Sequence, residues 1–505
     1  MRTMKLTLLA AALLAAQQST AAVSVDTEAF RAAITADGVR AHQVELQFIA
    51  DANEGTRAAS TPGYKASLEH IKLLVELAGY VVTVQPFEFP YFEELSQAEL
   101  TQLAPVPTVY PYADASGFIT MSYSGAGDVT GPAEGVDLQL PPAATANSST
   151  SGCEPEDFAG FTPGSIAIIQ RGSCSFLLKA QNAQAAGASG VVIFNEGQPG
   201  RTDAFNGTLG EPSVSIPVVG AAFAVGEDLA TTPDVQARVF VDAISETRST
   251  ANLIAETPGG RDDRVVVVGA HLDSVPEGPG INDNGSGSAA LLEMALRLAE
   301  TGIAPVNQLR FAWWGAEEAG LLGSQAYVDG LSARDIKDIA VNLNFDMIGS
   351  PNFARFVYDG DGSATGTAGP NGSDNIEQVF LKYFADQGLP VEPTAFDGRS
   401  DYGPFIAVGI PAGGLFTGAE GIKTPEQAAI YGGVAGEPYD PCYHLACDTF
   451  DNNSDEALEQ MADAAAHAVF TFAMTTSSVN GTDKSSDKAK KYADALDYQG
   501  NKLRR

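Results

Sequence analysis

The sequence predicts an α/β protein: a doubly wound mixed sheet with helices on both faces, interrupted by a β-rich insert. Two observations carry this. From Ala251 to Ser477, apolar β-branched runs alternate with helical patterns, as expected of strands connected through crossover helices. Between about Tyr112 and Glu246 the texture changes. Gly, Pro, Thr and Ser become frequent, and the short strand-like runs SIAIIQRG, GVVIFNE, SIPVVGAA and ARVFVDA follow one another. The chain has 505 residues, of which 44% are hydrophobic, enough for two or three domains with a sizeable core. The expected divisions are a leader over 1–22, the first part of the main domain over 23–111, the insert over 112–246, the rest of the main domain over 247–477, and a tail over 478–505.

The chain opens MRTMKLTLLAAALLAAQQSTAAVS. Arg2 and Lys5 precede an apolar run, Leu6 to Ala16, that is too short to span a bilayer, and small residues follow. This is the pattern of a secretory signal peptide, so a secreted (extracellular or periplasmic) protein is expected. The next segment contains SLEHIKLLVELA, Ser67 to Ala78, with apolar residues at helical spacing. A strand is expected from Tyr80 to Phe89. Within the insert a helix is expected from Phe176 to Ala186. Further on, helices are expected over Ser286–Glu300, Leu321–Asp329, Asp374–Gln387 and Asp455–Thr475. The tail is rich in Ser, Asp and Lys and is read as mobile.

A formal charge of -34 argues against nucleic acid and against an anionic membrane surface as partners. The four cysteines are Cys153, Cys174, Cys442 and Cys447. An even number in an exported chain suggests two disulfides, and the local pairs Cys153–Cys174 and Cys442–Cys447 close the smallest loops. A four-cysteine zinc site is the rival reading.

The chemistry concentrates between Arg264 and Ile348. The runs RVVVVGAHLDS, LRFAWWGAEEAGLLGSQAY and VNLNFDMIG each end in acidic residues or histidine: His271 and Asp273, Glu317 and Glu318, Asp346. Asp283 lies in a Gly/Asn turn that opens a helix. In open α/β sheets ligands bind outside the carboxyl ends of the strands, so these side chains should converge on one rim. Each pair alone would read as a solvated loop. Together, with His444, they describe a hydrolytic metal centre, in which two ions about 3.5–4 Å apart share a carboxylate. Glu317 and Glu318 are adjacent and cannot point the same way in regular structure, so one can bind metal while the other works as a general base. Asp273 is placed to accept the second imidazole N–H of His271. Trp313 and Trp314 are read as packing, and His42, His70 and His467 as structural. Asn284 begins a glycosylation pattern, but a glycan there would block the site.

Two resemblances extend this reading. The run GSIAIIQRGSCSFLLKAQNAQAAGASGVVIFNE resembles the protease-associated domain, which implies a lid or a modulator of substrate access without catalytic residues. The motifs GAHLDS, INDNGSG, AWWGAEEAGLLGS, NFDMIG, GRSDYGPF, GGLFTGAE and DPCYHLACD resemble the di-zinc aminopeptidases of peptidase clan MH, the group of aminopeptidase Y and the secreted bacterial leucine aminopeptidases. That resemblance implies a zinc-exopeptidase fold with two Zn²⁺ per chain. His271 and Asp346 would bind one ion, Glu318 and His444 the other, and Asp283 would bridge them. It also implies Glu317 as general base acting on a metal-bridging hydroxide, and Tyr443 as the group that hydrogen-bonds the oxyanion. Arg399 and Phe416 would contact substrate, Cys442 and Cys447 would form a small disulfide, and the Asp283–Asn284 peptide would be cis. The family's calcium is allowed for, with no residues assigned. The implied substrates are peptide or protein N-termini, with an apolar, leucine-like first residue. A carboxypeptidase of the same clan would need a basic cluster, and little beyond Arg399 lies near the motifs. A glutaminyl cyclase-like enzyme works with one zinc, and a catalytically silent ectodomain would have lost ligands, whereas the full set is present here.

Overall fold

The computed structural model describes residues 25–475. The expected leader over 1–22 and tail over 478–505 lie outside the described residues. Within them, one 14-stranded sheet runs through the molecule. Its middle is four parallel strands in the order Ala412–Phe416, Ile339–Phe345, Arg261–His271 and Asn307–Trp314. Strand Phe356–Tyr358 adds antiparallel to Ala412–Phe416, and Gln236–Glu256 adds antiparallel to Asn307–Trp314.

Side-chain alternation explains why both faces are covered. Val266, Val268 and Ala270 enter one core and Val265 and Val267 the other; Phe311 and Trp313 likewise part from Ala312 and Trp314. A period of two sends successive residues to opposite faces, and a strand buried on both reads as a continuous apolar run. The larger core packs under helices Ala36–Asp51, Pro62–Leu77, Gly285–Thr301, Ser373–Gln387 and Asp455–Met474. The smaller one packs under Leu322–Asp329 and Tyr402–Ala407. Both tryptophans are fully buried.

Two elements differ from expectation. The helix expected from Ser67 begins at Pro62, because the Thr61 side chain caps it by accepting the Tyr64 N–H and proline is at home in a first turn. The strand expected to end at Phe89 continues to Ala104, giving 24 residues. Its partner is the 21-residue Gln236–Glu256, paired from Val81↔Glu256 to Ala104↔Gln236 with irregularities near Ser96, Glu99 and Gln102. The first half of this ribbon borders the larger core, while Ala98, Leu100, Ala237 and Val239 enter the core of the β-rich insert. No flexible linker joins the two parts; they share a hydrogen-bonded ladder. The insert adds Gly127–Val136, Ile166–Gln170, Gly190–Phe194, Val218–Ala221 and Phe118–Thr120 in that order.

Cys153–Cys174 and Cys442–Cys447 are disulfides with S–S distances of 2.06 and 2.11 Å, which removes the four-cysteine zinc reading. Among the described residues no helix is long and apolar enough to cross a membrane.

Helix Gly285–Thr301 starts against the end of strand Ile339–Phe345. A Cβ on Gly287 would lie 2.1 Å from the Phe345 carbonyl oxygen. Gly287→Ala must therefore separate helix from strand. We expect a loss of about 1–3 kcal/mol, seen as a lower denaturation midpoint; an unchanged midpoint would show that the contact relaxes freely.

Candidate metal centre

The rim forms where the parallel strands end. His271 is the last residue of its strand. The chain then loops through 272–282, and Arg57 organises this loop. The Arg57 side chain is fully buried and donates to the carbonyls of Leu272, Pro279 and Gly280, the last two at 2.8 and 2.6 Å. Burial pulls its pKa down to about 10, against the pull of Asp273, Asp448, Asp283 and Glu318, so it stays cationic at neutral pH. At the end of the loop the backbone N–H groups of Asn282 and Asp283 donate to the two oxygens of Asp448, each at 2.9 Å. The Asp283–Asn284 peptide is cis. Asn284 is fully buried, which excludes a glycan. Its side chain caps the helix by accepting from Gly287 N–H, accepts from Met347 N–H, and donates to the Phe345 carbonyl. These bonds fix Asp283 beside Asp346.

Glu317 and Glu318 follow a sharp turn at Ala316, which has φ 56°. Met347 and His444 are also left-handed, at φ 51° and 57°. Non-glycine residues enter this region at a cost of roughly 1–3 kcal/mol, and such strain gathers at functional sites. The Asp273 carboxylate holds the turn by accepting the Glu317 and Glu318 N–H groups at 3.1 and 3.3 Å. Its contact with His271 is made by the backbone. His271 Nδ1 bonds the Asp273 carbonyl at 3.0 Å, while the nearer carboxylate oxygen is 3.7 Å away. The strand has already ended at His271, so Asp273 turns towards the neighbouring strand end instead.

The candidate ligands meet in a chain of close contacts. His271 Nε2 lies 3.2 Å from Asp283 Oδ1 and 3.3 Å from Asp346 Oδ1. His444 Nε2 lies 3.3 Å from Asp283 Oδ2 and 3.1 Å from Glu318 Oε2. Donors held on one zinc at 2.0–2.1 Å in a tetrahedral array would be roughly 3.3 Å apart. Glu317 comes no nearer than 3.9 Å to His271 Nε2. His271, Glu317 and Asp346 form one metal-sized donor group, and His271, Asp283 and Glu318 another.

Charge and burial point the same way. Burial alone would lower the His271 pKa, but Glu317, Asp346, Asp273 and Asp283 raise it well above the usual value. His444 is likewise pushed up to about 11, with Glu318 and Asp283 outweighing its burial. Glu317 is raised well above the carboxylate range, mainly by burial. Burial and Asp283 push Glu318 up to about 7. Buried Asp346 Oδ1 and Glu318 Oε1 have no hydrogen-bond partner. So much uncompensated anion around two imidazoles calls for cations, and the N/O donor set suits zinc.

Tyr443 stacks on His444, with ring centroids 3.8 Å apart, and its hydroxyl accepts from Arg399 at 3.2 Å. Burial, then Asp283 and Glu318, raise its pKa, so it remains a proton donor. Arg399 also pairs with Glu420 at 2.8 Å. Phe416 is half-buried and packs on Phe356. Sequence reasoning missed Ser400, whose hydroxyl donates to Asp346 Oδ2 at 2.6 Å and accepts from Asn344 at 2.7 Å. It also missed Asp448 and Arg57. Ser400 and Asp448 stand inside the quoted motifs GRSDYGPF and DPCYHLACD; Arg57 had no local signal.

Residues 252–469 match peptidase family M28, and residues 136–229 match the PA domain. The chain is 51% identical over 438 residues to an aminopeptidase of Pseudomonas aeruginosa, covering 86% of this chain and 80% of that protein. It is 48% identical over 330 residues to leucine aminopeptidase 2 of Trichophyton equinum, covering 65% and 66%. Among solved structures, a zinc aminopeptidase from Bacillus subtilis superposes with a TM-score of 0.54 at 26% identity, covering 88% of this chain and 97% of that one.

Proposed function

The chain belongs to peptidase family M28 and is a metallo-aminopeptidase acting on peptides, and on that premise we propose a secreted di-zinc enzyme that removes apolar, leucine-like N-terminal residues. The observation that carries the two-ion reading is Asp283, whose two oxygens face different imidazoles at 3.2 and 3.3 Å. His271 and Asp346 would hold one zinc, Glu318 and His444 the other, with Asp283 between them. Zinc, when bound, supplies Lewis acidity that acidifies water and polarises the scissile carbonyl.

The protein's own groups do the rest. Glu317, buried and set back from the four close contacts, takes a proton from the attacking water and returns it to the departing amine. Its raised affinity for protons, caused mainly by burial, suits a group that must both accept and donate one. Tyr443 donates its hydroxyl proton to the developing oxyanion. The free α-amine is held near Glu317 and Asp346, which restricts cleavage to the first residue, and Phe416 borders the apolar side of the pocket. Arg399 is engaged by Glu420 and Tyr443, so it is poorly placed to hold the free carboxylate that a carboxypeptidase would need.

Secretion is supported by the leader pattern of the sequence and by two formed disulfides, which persist in oxidising compartments. The charge of -34 supports the exclusion of nucleic acid and anionic membranes as partners.

The test is an assay of leucyl and other aminoacyl amides beside N-acetylated peptides. Cleavage of the free-amine substrates, abolished by a chelator, restored by zinc and fastest for leucyl, is expected. Turnover that survives in metal-free protein, or release of C-terminal residues, would reject the reading.

A further inference from the structure

We propose that Asp359, Asp361 and Glu377 form a calcium-binding site on the edge of the sheet opposite the catalytic rim. The topology separates the two places. Strand Phe356–Tyr358 runs antiparallel to Ala412–Phe416, with Phe356 opposite Phe416. It therefore leads away from the rim, and Asp359 follows at its far end, tied by its N–H to the Thr394 carbonyl at 2.9 Å. The Gly-rich loop 360–372 then returns to helix Ser373–Gln387, which brings Glu377 back over the start of the loop.

The three carboxylates each offer an oxygen within 4.8 Å of the others. Calcium binds oxygen at 2.3–2.6 Å, so two donors on one ion are at most roughly 5 Å apart. The acidic cluster is not the only sign. Asp359 is fully buried. Its Oδ2 is occupied by the Ala364 N–H, the Thr365 N–H and the Thr365 hydroxyl at 3.0, 2.7 and 2.8 Å. Its Oδ1, equally buried, has no hydrogen-bond partner, and the Asp361 carboxylate is a close neighbour of this side chain. Glu377 is 7% exposed and accepts the Gly360 and Asp361 N–H groups through Oε2 at 3.1 and 3.3 Å. Burial, with Asp361 and Asp359 as its charged neighbours, raises its pKa. Buried charges persist when they are paired or coordinate a metal. The donors here are all hard oxygens without histidine or thiolate, which selects calcium over zinc. The bound ion would pin loop 360–372 between a strand end and a helix, and so act on stability.

Equilibrium dialysis of the zinc-loaded full chain with radioactive calcium, beside thermal denaturation with and without calcium, tests this. The wild type is expected to bind one equivalent more than Asp359→Asn and Glu377→Gln, and calcium should raise its melting temperature. Both variants should lose that rise and keep wild-type zinc content and turnover. Glu377→Gln decides the matter if Asp359→Asn does not fold. Equal calcium binding by all folded forms would mean general attraction to an acidic surface and would overturn the proposal. So would a melting temperature indifferent to calcium.

Discussion

Glu317→Gln is expected to leave the zinc content unchanged and to lower kcat by roughly 10²–10⁴-fold, the usual worth of a positioned general base. Glutamine keeps the size of the side chain but cannot take a proton. The residues proposed to hold zinc should not notice the change, because Glu317 stands 3.9 Å from the nearest imidazole nitrogen while the four contacts among those residues span 3.1–3.3 Å. The turn that carries it is held through its backbone N–H by Asp273, so the substitution leaves the geometry of the turn in place. KM should change less than kcat, because the proton moves in the transition state rather than on binding. Zinc analysis with steady-state kinetics on a leucyl amide reads both quantities. Loss of zinc, or turnover within tenfold of wild type, would show that Glu317 is a ligand or a bystander.

Asp283→Ala is the second large effect, and it strikes the metal itself. Asp283 lies between His271 and His444, and their two close contacts fall on its separate oxygens. Its own pKa is lowered even though burial works the other way, because both histidines hydrogen-bond to it. On the proposed two-ion reading, removing the carboxylate would take one donor from each zinc and the anion they would share. The variant should retain at most one zinc per chain after dialysis and show no measurable turnover. Any binding energy that zinc contributes to the folded state is lost with it, so its melting temperature should fall towards that of chelated wild type. Two zincs retained after dialysis would sink the bridging role.

How much of this was legible beforehand differs residue by residue. His271, Glu317, Glu318 and Asp346 could be found because each ends an apolar run, and a run of β-branched residues declares a buried strand whatever surrounds it. The helix expected over Ser286–Glu300 forms over Gly285–Thr301, one residue longer at each end, with Asn284 as its cap. Asp273 meets His271 Nδ1 through its main-chain carbonyl, because the strand ends at His271 and the carboxylate turns to the neighbouring strand end. The ribbon Val81–Ala104 with Gln236–Glu256 runs well past the strand that the sequence predicts over Tyr80–Phe89. Its second half is stabilised by partners more than a hundred residues away, and its own pattern is weak.

The chemistry available, and the places where it surfaces, are written in the residues themselves: periodic burial, strand ends rich in acid and histidine, turns rich in glycine. Those are local properties, set by each segment's own side chains. Which atoms meet depends on packing between distant segments. Arg57 closing the loop before Asp283, Asp448 holding that residue's backbone, and Ser400 braced against Asp346 all join segments far apart in the chain. So does the two-sided approach of His271 and His444 to one carboxylate. Contacts of that kind depend on how whole elements pack, and no short stretch of residues carries that information.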